Sequence, residues 1–449
     1  MITDVVDLSF PIHEDMPTDD LGPKFWTRLG HAYTRQIYQN TQSRAGRVFF
    51  MTDHIGTHLD GPLRFDPKGM AVEELALEDV ILPARVFDLR HVGRGGEIGP
   101  DELEAAGVKV AEREAAVLWT GHDLHYDSPD YFWNRPRLST VGAEWLVAKR
   151  ARMVAADFPG IGAPNDDRYE VKRILHRGGA LTVELLCNLD KVEGRAWTLA
   201  AAPLRIRGGT GSPLRAAALV GPPPARLIDL TLDIYKEMPS LGAVPTYWSR
   251  ATHAITEHFY KGELSYQTTA LFLSEHAGTH FDVPYHFDPA GRAMEDFALS
   301  ELVVPARVLD LTHKQPLEAI GADDLEKALA KSGTTIEPGD GAVVWTGHSR
   351  NYYTRDDYTT HRPFISIDGA EWLVAKKPAV VITDLIGLDP PGDLTSPIHN
   401  ALLCNGLCML QVLTNLGELA EGEWRIAIFP LNLTGGTGAP LRAFAFPDT

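Results

Sequence analysis

The sequence is poor in cysteine, in positive charge and in long apolar runs, and each shortage closes a class of protein. Three cysteines in 449 residues, Cys187, Cys404 and Cys408, are too few and too scattered for a disulfide framework, so the cytoplasm is the expected compartment. Cys404 and Cys408 stand four apart, but two small buried apolar residues explain them better than a metal pair. Basic residues number 42 against 60 acidic, a net charge of −18, which argues against nucleic acid or an anionic membrane as a partner. No uncharged apolar run reaches the roughly 18–20 residues of a membrane span. The opening Met1-Ile2-Thr3-Asp4 lacks the basic-then-apolar order of a secretory signal. No Gly-x-Ser-x-Gly elbow offers a serine nucleophile. Gly435-Gly436-Thr437-Gly438 lacks the Lys-Ser/Thr of a phosphate-binding loop and reads as a tight turn before a last strand at 439–442.

What the sequence does have is a long internal repeat. Asp53-His54-Ile55-Gly56-Thr57-His58-Leu59-Asp60 recurs as Glu275-His276-Ala277-Gly278-Thr279-His280-Phe281-Asp282, at an offset of 222 residues (54 to 276). Trp119-Thr120-Gly121-His122 recurs from Trp345, at an offset of 226. The octet from Gly142 to Lys149 recurs identically from Gly369, and Gly208-Gly209-Thr210-Gly211 recurs from Gly435, both at 227. The order is kept throughout, and the period is far too long for a solenoid. Two duplicated domains are expected, at 1–220 and 226–449. The Gly221-Pro222-Pro223-Pro224 run between them favours an extended, semi-rigid linker.

Within each copy the pattern is mixed α/β. The β-branched runs at 84–89 and 342–345 read as strands. Residues 99–106 and 323–330 read as capped helix starts, 369–375 as a short helix, and 400–419 as one largely buried helix with Gly406 inside it. The tyrosines 352, 353 and 358, matched by Tyr126, Tyr131, Phe132 and Trp133, suit either a pocket wall or core anchors under a loop. His348 and its neighbours are equally open between pocket lining and structural use.

The chemistry concentrates in one segment. His276, His280, Asp282 and His286 lie within eleven residues. Neutral imidazole and carboxylate suit zinc, manganese or iron. In an extended segment His280 and Asp282 share a face because side chains alternate, and His286 falls on that face too. The Gly278 bend redirects His276 toward the same point.

The string His-x-Gly-Thr-His-x-Asp-x-Pro-x-His resembles the signature of the metal-dependent cyclase family, which includes bacterial kynurenine formamidases and isatin hydrolases. The resemblance runs through nearly all of both copies. It implies two tandem swivelling β/β/α domains paired as an internal pseudo-dimer, with a further homodimer open. It also implies a hydrolytic site for a divalent metal, zinc or manganese, and no organic cofactor is expected. On the second copy it marks His276, His280 and Asp282 as metal ligands and His286 as general acid/base. A second metal position would use His399 and the residue twelve further on, which here is Gln411 instead of Glu; that change points toward a single metal. The first copy keeps His54, His58 and Asp60, with Glu184 in the place of Gln411. It has Arg64 where the acid/base stands and Lys172 where His399 stands. Arginine does not lose its proton at working pH and is no general base. Two readings follow for this copy: a structural or vestigial metal held by His54, His58, Asp60 and Glu184, which is favoured, or an Arg64 that orients an anionic substrate.

The expected activity is metal-assisted hydrolysis of a small-molecule amide, formamide, cyclic amide or lactone. The rivals are a cyclase or dehydratase of natural-product assembly using the same residues, and a non-catalytic metal-binding scaffold. His286 argues against the last.

Overall fold

The structure, a computed structural model, describes residues 1–448. The apolar runs form one nine-stranded sheet in each half, and the two sheets have the same strand order. In the first, the strands Ile81–Asp88, Ala115–Trp119, Met153–Ala156 and Leu181–Glu184 lie side by side and parallel. In the second, Val303–Asp310, Gly341–Trp345, Val380–Thr383 and Cys408–Gln411 do the same. These strands read as near-continuous apolar sequence because both faces are covered. Antiparallel strands flank them, and at one flank a three-residue strand, His58–Asp60 or His280–Asp282, is enclosed between two antiparallel neighbours.

Helices cover one face of each sheet. Leu325 and Leu329 from Ala322–Ser332, Ala370 and Leu373 from Ile367–Lys376, and Ile398 and Leu402 from Pro397–Leu403 pack with Leu309, Val344, Val381 and Met409. Leu103, Leu146 and Leu175 make the corresponding core with Phe87, Leu118 and Val154. No helix among the described residues is long and apolar enough to cross a membrane.

The expected strands and helix starts are present: 84–89 falls on Ile81–Asp88 but for its last residue, 99–106 lies over Pro100–Ala105, and 369–375 lies within Ile367–Lys376. The single helix expected at 400–419 is not. The helix stops at Leu403, Gly406 takes the left-handed φ of 82° that favours glycine, and Cys408–Gln411 becomes a buried strand. Apolar spacing suited both a helix and a fully buried strand, and the glycine decides between them.

The chain divides into two compact units that do not follow the two sequence copies throughout. Unit 1 comprises Met1–Lys24, Met51–Pro223 and Tyr247–Leu271; unit 2 comprises Phe25–Phe50, Pro224–Thr246 and Phe272–Thr449. Each unit therefore contains an arm of about 25 residues from the other copy. Duplicated motifs conceal such an exchange, because each copy's arm resembles the one it replaces.

The Trp-Thr-Gly-His blocks have a structural use. Asp384 Oδ1 accepts from Thr346 N at 3.0 Å and Thr346 Oγ1 at 2.8 Å, and His348 Nε2 lies 2.9 Å from Tyr358 O. Asp157, Thr120 and His122 repeat the pattern. Tyr353 and Tyr358 belong to a small core cluster with Ile386 and Val412, so they are anchors. Burial pushes the Asp384 carboxyl up to about 6 and the Asp157 carboxyl to about 7. An acid whose folded pKa is raised loses stability as pH rises from its unfolded value to its folded one. Relative to Asp384→Asn, the wild type is expected to lose up to roughly 3 kcal/mol between pH 4 and 6 and to level off above that, on a scale of about 1.4 kcal/mol per pKa unit. Denaturant unfolding of both proteins across that range checks the sign.

Candidate active site

In unit 2 the strand His280–Asp282 is buried along its length, and alternation puts His280 and Asp282 on one face while Phe281 enters the core. Gly278, at φ 63°, turns the chain just before the strand and brings His276 to the same point. Pro284–His286 forms a 3-10 turn, so His286 arrives by that turn and not by continued strand alternation. The rings of His276 and His286 stack with centroids 4.2 Å apart.

The hydrogen bonds fix which ring nitrogens are free. His280 Nδ1 is 2.8 Å from Gly278 O and must donate to it, which leaves the Nε2 lone pair 3.3 Å from Asp282 Oδ1. Thr437 Oγ1 donates to Glu275 Oε2 at 2.6 Å, so it accepts from His276 Nε2 at 3.0 Å. The His276 Nδ1 lone pair then faces Asp282 Oδ1 at 2.6 Å. Arg47 closes the chain of contacts by pairing with Glu275 at 2.6 Å. Gly438 has to be glycine, since a Cβ there would lie 2.7 Å from His276 Cε1. The closing Gly-Gly-Thr-Gly is thus more than a turn.

Three acceptor atoms, one each from His276, His280 and Asp282, converge within 4.8 Å of one another. Lone pairs facing each other at such distances call for a cation between them. Two imidazoles and one carboxylate, with other positions left for water and substrate, fit a catalytic divalent metal. Burial pushes the Asp282 carboxyl up, but His280 and His276 outweigh it and hold it well below the usual carboxylate range.

His286 donates its Nδ1 proton to Ala45 O, which leaves Nε2 as a free base. Burial, reinforced by His276, holds its pKa well below the ordinary value. His399 bonds Asp389 through Nδ1, and that carboxylate overcomes burial to raise the pKa of His399. Its Nε2 lies 3.8 Å from Asp282 Oδ2. Gln411 accepts from Gly387 N through Oε1 at 2.9 Å and donates from Nε2 to Asp282 Oδ2 at 2.5 Å. The amide oxygen is committed to backbone and a donor faces the cluster, which differs from the ligand role the sequence suggested for Gln411.

Unit 1 repeats the framework with different charges. His58 Nδ1 donates to Gly56 O at 2.8 Å, His54 Nδ1 lies 2.7 Å from Asp60 Oδ1, and Thr210 donates to Asp53 as Thr437 does to Glu275. Arg64 Nη1 reaches Asp60 Oδ1 at 2.6 Å, and Lys172 Nζ lies 2.9 Å from Asp60 Oδ2 and 2.5 Å from Glu184 Oε1. Glu184 also accepts from Gly160 N and Ile161 N. Burial opposes the charged forms, but the ion pairs prevail: Asp60 is held well below its usual range, Glu184 falls to about 2, and Lys172 is raised. The cluster borders a cavity of about 770 Å³ lined by Arg64, Lys172, Glu184, Tyr169, Arg250 and Tyr266.

Glu275, Thr437, Arg47, Ala45 and Asp389 support the unit 2 cluster and were not singled out from sequence. Glu275 was within reach, since an acidic residue precedes the first motif histidine in both copies. Ala45 and Arg47, from the exchanged arm, carried no signal.

Comparison with known proteins bears on both copies. A family model described as "Putative cyclase" matches residues 6–163 and 228–390. A kynurenine formamidase of Salinibacter ruber is 33% identical over 189 residues, which covers 40% of this chain and 80% of that protein. One from Bacillus thuringiensis (strain Al Hakam) is 29% identical over 177 residues, 39% of this chain and 78% of that protein. Among solved structures, isatin hydrolase A from Ralstonia solanacearum matches 50% of this chain and 92% of its own, at 23% identity and a TM-score of 0.43. The chain belongs to the putative cyclase family, of which it carries two tandem copies.

Proposed function

We propose that the chain is a metal-dependent amide hydrolase whose working site is the unit 2 cluster. The observation that carries this reading is the convergence of His276, His280 and Asp282 beside a histidine whose Nε2 is free. The kynurenine formamidases among the relatives favour a formamide or another amide carbonyl as substrate.

His276, His280 and Asp282 would hold a divalent metal, which would supply Lewis acidity toward the carbonyl oxygen and lower the pKa of water. Zinc and manganese both suit this donor set. His286 Nε2 takes a proton from the attacking water and returns it to the leaving nitrogen, while its Nδ1–H stays on Ala45 O and fixes the tautomer. His399, held through Nδ1 by Asp389, brings its Nε2 to the cluster, 3.3 Å from Gln411 Nε2 and 3.8 Å from Asp282 Oδ2. Gln411 orients Asp282 by donating to the oxygen that His276 does not face. Thr437 holds His276 in the tautomer that aims Nδ1 at Asp282.

His286→Ala is expected to lower kcat/KM for an N-formyl arylamine by about 10²–10⁴-fold with metal content unchanged. Turnover equal to wild type would remove His286 from the mechanism. Mass analysis of the products separates the rival chemistry: products whose masses together equal substrate plus one water mark hydrolysis, and a single product lighter by one water marks a cyclase or dehydratase.

Thr437→Val keeps the shape but removes the acceptor for His276 Nε2–H. Metal affinity in a chelator competition is expected to fall about 10–100-fold, the range typical when a partner behind a ligating histidine is lost.

A further inference from the structure

The unit 1 cluster keeps the ligand types of unit 2 yet differs in what faces its carboxylate. We propose that unit 1 takes up no divalent metal, because Arg64 and Lys172 occupy the electrostatic place of the ion and turn the site into a metal-free salt cluster.

Lone pairs carry the first part of the argument. A carboxylate oxygen has about two acceptor positions. Asp60 Oδ1 faces His54 Nδ1 at 2.7 Å and receives Arg64 Nη1 at 2.6 Å. Asp60 Oδ2 receives Lys172 Nζ at 2.9 Å and Thr182 Oγ1 at 3.3 Å. In unit 2 the neighbours of Asp282 are imidazoles and one amide, so Oδ1 remains open to an ion.

Charge carries the second part. Asp60 and Glu184 bring two negative charges, and Arg64 and Lys172 bring two positive ones, all buried. These four side chains sum to zero, and the buried Asp53 beside His54 is held by Thr210 Oγ1 and Thr269 N. A divalent ion would add two uncompensated charges in a poorly solvated place and would have to displace a guanidinium and an ammonium from short contacts. Lys172 Nζ bridges Asp60 and Glu184, the two carboxylates a metal would use. Access is not the obstacle, because the cluster borders the cavity of unit 1.

Their counterparts in unit 2 are His286 and His399, which can be neutral. Replacing the two cations by histidine would leave Asp60 and Glu184 with imidazole partners and so create demand for a cation.

The inference stands apart from the functional reading of unit 2, and counting metal separates the two. The full chain is equilibrated with excess zinc or manganese, desalted, and analysed for metal per chain. One equivalent is expected, lost in Asp282→Asn and kept in His54→Ala. The double variant Arg64→His/Lys172→His is expected to rise to two, while Lys172→Arg, which keeps the charge, stays at one. Two equivalents in wild type, one of them lost in His54→Ala, would overturn the proposal. A folded double variant, judged by near-UV circular dichroism, that remains at one would overturn it as well. Should the double variant not fold, the wild-type and His54→Ala counts decide. No metal in wild type but one in the double variant would sink the unit 2 reading while supporting this one.

Discussion

A buried carboxylate needs a cation, and the character of each site follows from how that need is met. Asp60 and Asp282 sit at the ends of three-residue strands enclosed between antiparallel neighbours, and neither is more than 1% exposed. Water cannot solvate the charge there, so the protein has to. In unit 2 the nearby groups are imidazoles whose lone pairs, by the hydrogen bonds behind them, point inward. In unit 1 they include a guanidinium and an ammonium. The strand order and pairing are the same; what differs is the source of positive charge and the second carboxylate that Glu184 brings where unit 2 has Gln411.

The support behind the ligands is conserved between the units where the ligand environment is not. Thr437 donates to Glu275 and accepts from His276; Thr210 donates to Asp53, with His54 Nε2 at 3.3 Å. Gly438 and Gly211 both leave room for the histidine ring, since a Cβ on Gly211 would lie 2.3 Å from His54 Cε1. Gly387 N holds Gln411 as Gly160 N holds Glu184. This machinery orients side chains and does not depend on whether the charge it faces is a metal or a lysine. Substitutions at Arg64 and Lys172 could therefore change the chemistry of unit 1 without disturbing its fold.

Much of this was legible in the sequence because the relevant physics is local. Period-two alternation places His280 beside Asp282, a glycine marks the bend, and a proline marks the turn that delivers His286. The duplicated motifs exposed the two families of sheet, and register across the repeat exposed Arg64 and Lys172. The illegible parts are long-range. Gln411 was expected as a ligand because its position matched a ligand position, but the direction of an amide depends on Gly387, far away in sequence. The helix expected through 400–419 failed because a buried strand and a buried helix segment share one apolar signature. Ala45 carries no side-chain chemistry at all; its carbonyl matters only because the fold sets it against His286.

That carbonyl also explains why the two copies are not independent. Ala45 and Arg47 come from the first sequence copy, yet they belong to unit 2, where one accepts the His286 proton and the other pairs with Glu275. Their counterparts in the second copy serve unit 1: Gln267 N donates to Arg64 O as Ala45 N does to His286 O, and Thr269 N donates to Asp53. In unit 2 the acceptor that sets the tautomer of the base is therefore supplied by the first copy. The first copy can lose the residues of a metal centre and remain indispensable, because what it lends to the second is an arm of backbone and one arginine. A duplicated chain with exchanged arms is free to alter one site only so far as the arm survives, and that restriction falls on Phe25–Phe50 and not on Arg64 or Lys172.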